Sequence, residues 1–251
     1  MINRYLKQEE EIILLVPIIR EIRGDHPTIS CRAMYYMINP VTIGRDKFEK
    51  ICKDLGFVIE RKTKYIRTTD STGVTKFDNL TINLVLTDIN QLYSSDITYY
   101  KVGNVFYYIT FILDCFSRKI LGYSVSSRLF TEYTSLPALK MALKNKGNKV
   151  KEGIIFHSDG GGQYYDKEFL ALTKKHKFKN SMCEYAWENG KAERINGVIK
   201  NNYLIHRTIE TMADLVKEVD RSVALYNEEK PHKNLKYMAP NKYEKHLLSL
   251  K

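Results

Sequence analysis

The sequence predicts an α/β core, a mixed five-stranded sheet flanked by helices, preceded by a small all-helical domain. Three observations predict it. Residues 92–126 fall into three runs rich in Ile, Val, Tyr, Phe and Thr separated by short turns, the composition of a strand meander. Beyond them, two short apolar runs alternate with stretches of helical period, and the order β-β-β-α-β-α-β-α is that of a mixed sheet covered by helices. Ahead of them, residues 1–60 read as helical.

The helical region opens with a polar segment that turns apolar through Ile12, Ile13, Leu14 and Leu15 to Pro17, where a kink or a restart is expected. A second helix fits 30–38. In a third, 43–55, Phe48, Ile51, Cys52 and Leu55 form one buried stripe at i, i+3, i+4 and i+7. The opposite face carries Arg45, Lys47, Lys50 and Lys53. Three short helices ending in a basic amphipathic one read either as a helix-turn-helix that lays Lys47, Lys50 and Lys53 along phosphates or as a small bundle with an ordinary solvated face. From residue 61 the period is lost, and Arg-Lys-Thr-Lys and Thr-Thr-Asp-Ser-Thr-Gly mark a linker, 61–84. The core, 85–205, then takes strands at 92–100, 105–114 and 119–126, a helix at 131–143, a strand at 153–157, a helix at 167–175, a strand at 178–182 and a long helix at 188–204. The remainder, 206–251, is expected to be a helical extension packing on that core.

The chain has 251 residues, with 40 Lys and Arg against 29 Asp and Glu, a formal charge of +11. Such a balance points to a polyanionic partner, nucleic acid ahead of a membrane surface. Residues 174–179, Lys-Lys-His-Lys-Phe-Lys, are either part of a phosphate-binding groove or a solvated face. No stretch approaches 18 consecutive apolar residues, and the opening residues lack a signal peptide's pattern, so the expectation is a soluble cytoplasmic protein. Cys31, Cys52, Cys115 and Cys183 stand singly, and the six histidines are scattered, which argues against a structural zinc site.

Three carboxylates occupy positions that folding alone explains poorly. Asp96 lies inside a strand pattern, where Asp is depleted; Asp159 follows an apolar strand at its carboxyl end, in His157-Ser158-Asp159-Gly160-Gly161-Gly162, where α/β-type sheets place their sites. Glu193 lies in the first turns of the long helix. Brought together, the three would repel unless cations bound them, and an all-oxygen set suits Mg²⁺ or Mn²⁺. Two such ions are the standard device for in-line displacement at phosphorus.

Five stretches in order carry a resemblance: Asn90-Gln91-Leu92-Tyr93-Ser94-Ser95-Asp96-Ile97-Thr98-Tyr99, Leu113-Asp114-Cys115-Phe116-Ser117-Arg118-Lys119-Ile120-Leu121-Gly122-Tyr123, His157-Ser158-Asp159-Gly160-Gly161-Gly162-Gln163-Tyr164, Glu188-Asn189-Gly190-Lys191-Ala192-Glu193 and Tyr226-Asn227-Glu228-Glu229-Lys230-Pro231-His232. With them the sequence resembles the OrfB-type transposases of bacterial insertion sequences, insertion sequence family three, within the retroviral-integrase-like DDE superfamily. The resemblance implies a ribonuclease-H-like catalytic core behind a helix-turn-helix, with Asp96, Asp159 and Glu193 as the catalytic, metal-binding triad. It implies two divalent ions, Mg²⁺ or Mn²⁺, and metal-dependent cleavage and strand transfer of a mobile element. The implied partners are the element's inverted-repeat ends, target DNA, further copies of the chain and an upstream-frame helix-turn-helix protein, met at the bacterial nucleoid. Two departures stand out: the family usually has Trp in place of Tyr93, and the 33 residues between Asp159 and Glu193 are two fewer than usual.

On the Glu193 helix, Asn189 at i−4 and Lys200 at i+7 share the carboxylate's face and are candidates for DNA contact, with plain solvent exposure as the alternative. Asp114 is expected to cap the turn to Ser117, and Asp88 to belong to the linker. The three glycines after Asp159 are no phosphate loop, since no G-x-x-x-x-G-K-[ST] follows; they bring backbone close to a phosphate or turn the chain. Three other functions stay open: a nuclease of the same fold that does not join strands, a non-catalytic DNA-binding regulator, and a decayed transposase.

Overall fold

The computed structural model describes residues 2–59, 77–146, 152–183 and 185–250; the expected linker 61–84 lies outside them up to residue 76. The chain divides into two compact units, Met1–Arg67 together with Ala224–Lys251, and Thr68–Val223.

In the first unit, α1 (Ile2–Asp25) continues through Pro17 as one helix, forgoing one backbone donor there instead of breaking. Helix α2 (Cys31–Ile38) is capped by Ser30, whose hydroxyl accepts from Ala33 N at 3.2 Å, and ends at Asn39 in the left-handed region, φ 49°. Helix α3 (Arg45–Asp54) follows. Leu15, Ile19, Ile29, Met34, Ile43, Phe48 and Cys52 form the shared core, so the predicted stripe holds at Phe48 and Cys52. It fails at Leu55, which lies beyond the helix end and is 48% exposed. Lys47, Lys50 and Lys53 all face solvent.

The last part of the chain corrects an expectation. Only 206–223 stays with the core; from Ala224 onward the chain belongs to the N-terminal unit. Glu229 Oε2 lies 3.2 Å from Nε2 of the buried His26, and Tyr237 stacks on Tyr36 with ring centroids 3.9 Å apart. These aromatic and charged partners, all within the N-terminal unit, belong with the ending that includes the last turn of α7 (Met212–Glu228) and α8 (Pro240–Ser249).

The second unit is built on one sheet in the order β3-β2-β1-β4-β5. Strands β1 (Leu92–Val102), β2 (Val105–Asp114) and β3 (Ile120–Ser126) form the antiparallel meander. Strands β4 (Ile155–Ser158) and β5 (Lys179–Met182) add in parallel on the other side of β1. Helices α4 (Ser135–Lys146), α5 (Lys167–Lys175) and α6 (Gly190–Asn202) cover it. The core joins Tyr93, Ile112, Leu121, Leu139, Phe156 and Phe169 among others. Gly122 lets α4 lie directly on β3: a Cβ there would stand 2.2 Å from Ala138 O and 2.6 Å from Ala142 N.

Asp114, fully buried, ends β2 as expected and does more. Its Oδ1 accepts from Phe116 N and Ser117 N at 2.9 and 2.8 Å, and its Oδ2 from Asn90 N at 2.7 Å, so it also fixes the entry to β1. The long helix expected over 188–204 is resolved into a 3₁₀ turn, Ala186–Asn189, then α6, then a second 3₁₀ turn, Leu204–His206.

Candidate active site

Sheet topology brings the first two carboxylates together. On the parallel neighbours β1 and β4, Ser94 stands opposite His157, and two residues further along each chain come Asp96 and Asp159. Strand alternation keeps Asp96 on the face of Ser94. Helix α6 supplies the third carboxylate, Glu193, exposed in its first turn. Burial, the neighbouring Asp159 charge and then that of Glu193 push the Asp96 carboxyl up to about 7, against hydrogen bonds that favour its charged form. Burial raises Asp159 as well. For both the direction is upward and burial is the first cause, and at Asp96 the nearby Asp159 charge adds to it.

Each aspartate is held. Asp96 Oδ1 accepts from Ile97 N at 2.9 Å, and its Oδ2 from Asn196 Nδ2 at 2.7 Å. Asp159 Oδ1 accepts from Gly161 N at 3.1 Å, so of the two expected roles the glycines here show the turning one. The loop after Asp159 is anchored to the start of α4, where Ser135 Oγ donates to Gln163 O at 2.7 Å. His157, buried, places Nδ1 2.9 Å from Ser181 Oγ, and burial lowers its pKa to about 4, so it stays neutral.

Sequence reasoning missed Asn196. It is three residues past Glu193 on the same helical face, which is a signal in the sequence, yet its partner Asp96 lies 100 residues away. Its Oδ1 is buried and has no partner among the described residues. Lys200 stands on this face too: Nζ donates to Thr98 Oγ1 at 3.0 Å and Tyr99 O at 3.2 Å, and sits 5.2 Å from the Tyr99 ring centre. Burial lowers its pKa while Asp96 holds it up. Asn189 departs from expectation. It is 3% exposed, with Nδ2 donating to Ser95 O at 2.9 Å and Oδ1 accepting from Ser94 Oγ. A buried amide already committed to β1 is not offered to DNA.

Could these residues hold a divalent ion? The donors are hard oxygens, and the raised Asp96 carboxyl marks negative charge that has no ion pair among the described residues, the situation in which carboxylates gain most from a bound ion. The orphaned Asn196 Oδ1 adds one more acceptor beside Asp96. Among the described residues, no three Asp, Glu, His or Cys side chains yet converge closely enough to enclose an ion. The set fits such an ion in chemistry, with closure of Glu193 on the pair still required. No helix among the described residues is long and apolar enough to cross a membrane.

Residues 87–186 match the family described as integrase core domain, and residues 175–240 match a second family of the same description. An uncharacterized 31 kDa protein of insertion element IS600 from Shigella sonnei is 26% identical over 207 residues, 80% of this chain and 75% of that protein. The transposase for insertion sequence element IS629 from Shigella sonnei is 28% identical over 211 residues, 82% and 69% respectively. Transposase InsF for insertion sequence IS3A of Escherichia coli strain K12 is 36% identical over 93 residues, 37% of this chain and 31% of its own length. Among solved structures, a chain of the simian T-cell lymphotropic virus intasome, determined by cryo-electron microscopy in complex with PP2A regulatory subunit B56 gamma, aligns with a TM-score of 0.52 at 16% identity. That alignment covers 62% of this chain and 54% of that chain, and the likeness is one of fold.

Proposed function

We propose that this chain, which carries an integrase core domain and belongs with the transposases of insertion elements, cuts and joins DNA strands at Asp96, Asp159 and Glu193. The observation that carries the assignment is the placement of Asp96 and Asp159 two residues beyond the paired Ser94 and His157 of neighbouring parallel strands, where burial and the charges of Asp159 and Glu193 drive the Asp96 carboxyl up to about 7.

The three side chains would hold two divalent ions, Mg²⁺ or Mn²⁺. When bound, such ions supply a lowered pKa for an attacking oxygen and positive charge beside a leaving one. The chain's own residues perform the rest. Ile97 N–H and the Asn196 amide fix the rotation of Asp96, and Gly161 N–H fixes that of Asp159, each leaving lone pairs for ligation. Preset ligand geometry favours in-line displacement, because little reorganisation is left for the moment of reaction. Water is the nucleophile for nicking, a 3′ hydroxyl for joining. Lys200 extends the site along β1 and is the candidate for the adjacent phosphate, while Lys47, Lys50 and Lys53 form the candidate DNA-binding face of a helix-turn-helix made by α2 and α3. The substrates are inverted-repeat ends and target DNA, the working form is an oligomer of this chain on DNA, and an upstream-frame protein is a further partner.

The test is incubation of the full chain with one labelled DNA end and a target duplex, with Mg²⁺, Mn²⁺ or chelator. Metal-dependent nicked and joined products are expected. Cleavage without joining would instead assign a nuclease, and binding without cleavage a regulator.

A further inference from the structure

Asn189 stands at the N-cap of α6 and does not cap it. Asparagine there ordinarily turns its side-chain oxygen onto the N–H groups of the first turn, but no such bond is made. The amide is spent on β1: Nδ2 donates to the Ser95 carbonyl at 2.9 Å, and Oδ1 accepts from the Ser94 hydroxyl. Ser94, Ser95 and Asn189 are all buried, so water does not compete for these bonds. The knot continues inward, since Ser95 Oγ donates to Phe111 O at 3.0 Å and lies 2.9 Å from the Tyr164 hydroxyl.

The placement matters more than the bonds themselves. Ser94 and Ser95 are the two residues before Asp96, and Asn189 is four residues before Glu193. One side chain therefore links the strand that carries the first carboxylate to the start of the helix that carries the third. Among the described residues, the other hydrogen bonds from α6 to β1, Asn196 to Asp96 and Lys200 to Thr98 and Tyr99, lie beyond Glu193 along the helix. They leave the first turn without a tie of its own. Gly190, next in the chain, offers no side chain to replace it.

We propose that Asn189 is a positioning residue: its buried amide fixes the first turn of α6 on β1, sets where Glu193 meets Asp96 and Asp159, and so governs the divalent-ion affinity of the cluster. This rests on the reading that the cluster binds metal. Outer partners that orient ligands are worth 10–100-fold in metal affinity as a rule, although Asn189 touches no ion.

The experiment is Mn²⁺ binding, followed by loss of the free-ion paramagnetic resonance signal, on the full chain stripped with chelator. Wild type is compared with Asn189→Ala, Ser94→Ala and Asp159→Asn, with thermal melts to establish folding. Asn189→Ala is expected to weaken Mn²⁺ about tenfold or more. Ser94→Ala, which deletes one hydroxyl and leaves α6 untouched, is expected to weaken it by a smaller factor, roughly threefold. Asp159→Asn should weaken it most. Wild-type affinity in folded Asn189→Ala, alongside a defective Asp159→Asn, would overturn the positioning role and leave the metal site standing. Equal affinity in all four proteins would overturn the metal site, and the role with it. If Asn189→Ala does not fold, Ser94→Ala decides alone, and unchanged affinity there overturns the proposal.

Discussion

Asp96, Asp159 and Glu193, proposed to hold metal, and the lysines of α3, proposed to meet DNA, carry their charge on opposite terms. Asp96 and Asp159 are partly buried, each fixed by backbone or amide hydrogen bonds, with Asp96 strained electrostatically by its neighbours. Lys47, Lys50 and Lys53 stand in solvent on a helix whose other face is packed. Chemistry at phosphorus needs ligands placed to a fraction of an ångström, and burial with hydrogen bonding is how a chain secures that. Attraction to a polyanion needs only charge within reach of it. Substitutions in the first region should therefore act steeply and singly, and those in the second gradually and additively.

The sharpest break in this comparison would come at Asp159. Asp159→Asn keeps the shape and removes an anionic ligand, so single-turnover nicking and joining of a labelled end should both fall by about 1000-fold or more. Its DNA affinity in chelator should hold or rise, because a negative charge facing phosphates is gone. Near-normal nicking by the folded variant would remove Asp159 from the triad.

At the lysines, replacing Lys47, Lys50 and Lys53 together with Ala should weaken DNA binding roughly tenfold or more. It should also lower the slope of log affinity against log salt by up to about three, one per lost phosphate contact. A titration at several salt concentrations checks this. An unchanged slope would return α3 to a solvated face of an ordinary bundle.

Asp114 sharpens the comparison from inside the fold, since it is a carboxylate like those of the triad and more deeply buried, yet the bonds described above tie it to the turns beside β1 and β2. Removing its charge from four hydrogen bonds should cost about 2–3 kcal/mol. For a chain of this size that lowers the melting temperature by roughly 4–12 °C. Nicking per folded molecule by Asp114→Asn should stay within about tenfold. A loss as deep as that at Asp159 would give Asp114 a chemical role.

The smallest effect is one of pH. A carboxyl raised to about 7 in the folded chain, against the ordinary value near 4 when unfolded, stabilises the fold only while protonated. Its contribution is present below the unfolded value and lost as pH rises through about 7. In chelator, Asp96→Asn should melt with the wild type at pH 4 and about 2 °C or more above it at pH 8. A constant difference across that range would mean that Asp96 titrates normally.

Much of this was legible in the sequence, and the reasons differ by element. Helix α5 was bounded correctly at 167–175 because Asp166 caps it, accepting from Glu168 N at 2.9 Å, and caps are local chemistry. The meander was legible because β-branched and aromatic composition and turn residues are also local. Asn189, Asn196 and the fate of the final segment were not, because each depends on a partner nearly a hundred residues away or more. Asn189 misled for a particular reason: helical spacing put it on the Glu193 face, but the helix begins one residue later, and the side chain turned towards β1 instead.

The stacking of Tyr36 on Tyr237 and the approach of His26 to Glu229 impose a timetable on synthesis. The latter two residues are 203 apart in sequence, so at about 5–20 residues per second a ribosome needs roughly 10–40 s to deliver the second after the first. The entire sheet is translated in that interval. The first helices to emerge are thus the last to receive all their neighbours, and His26 and Tyr36 acquire their partners only on a chain whose sheet has already been made.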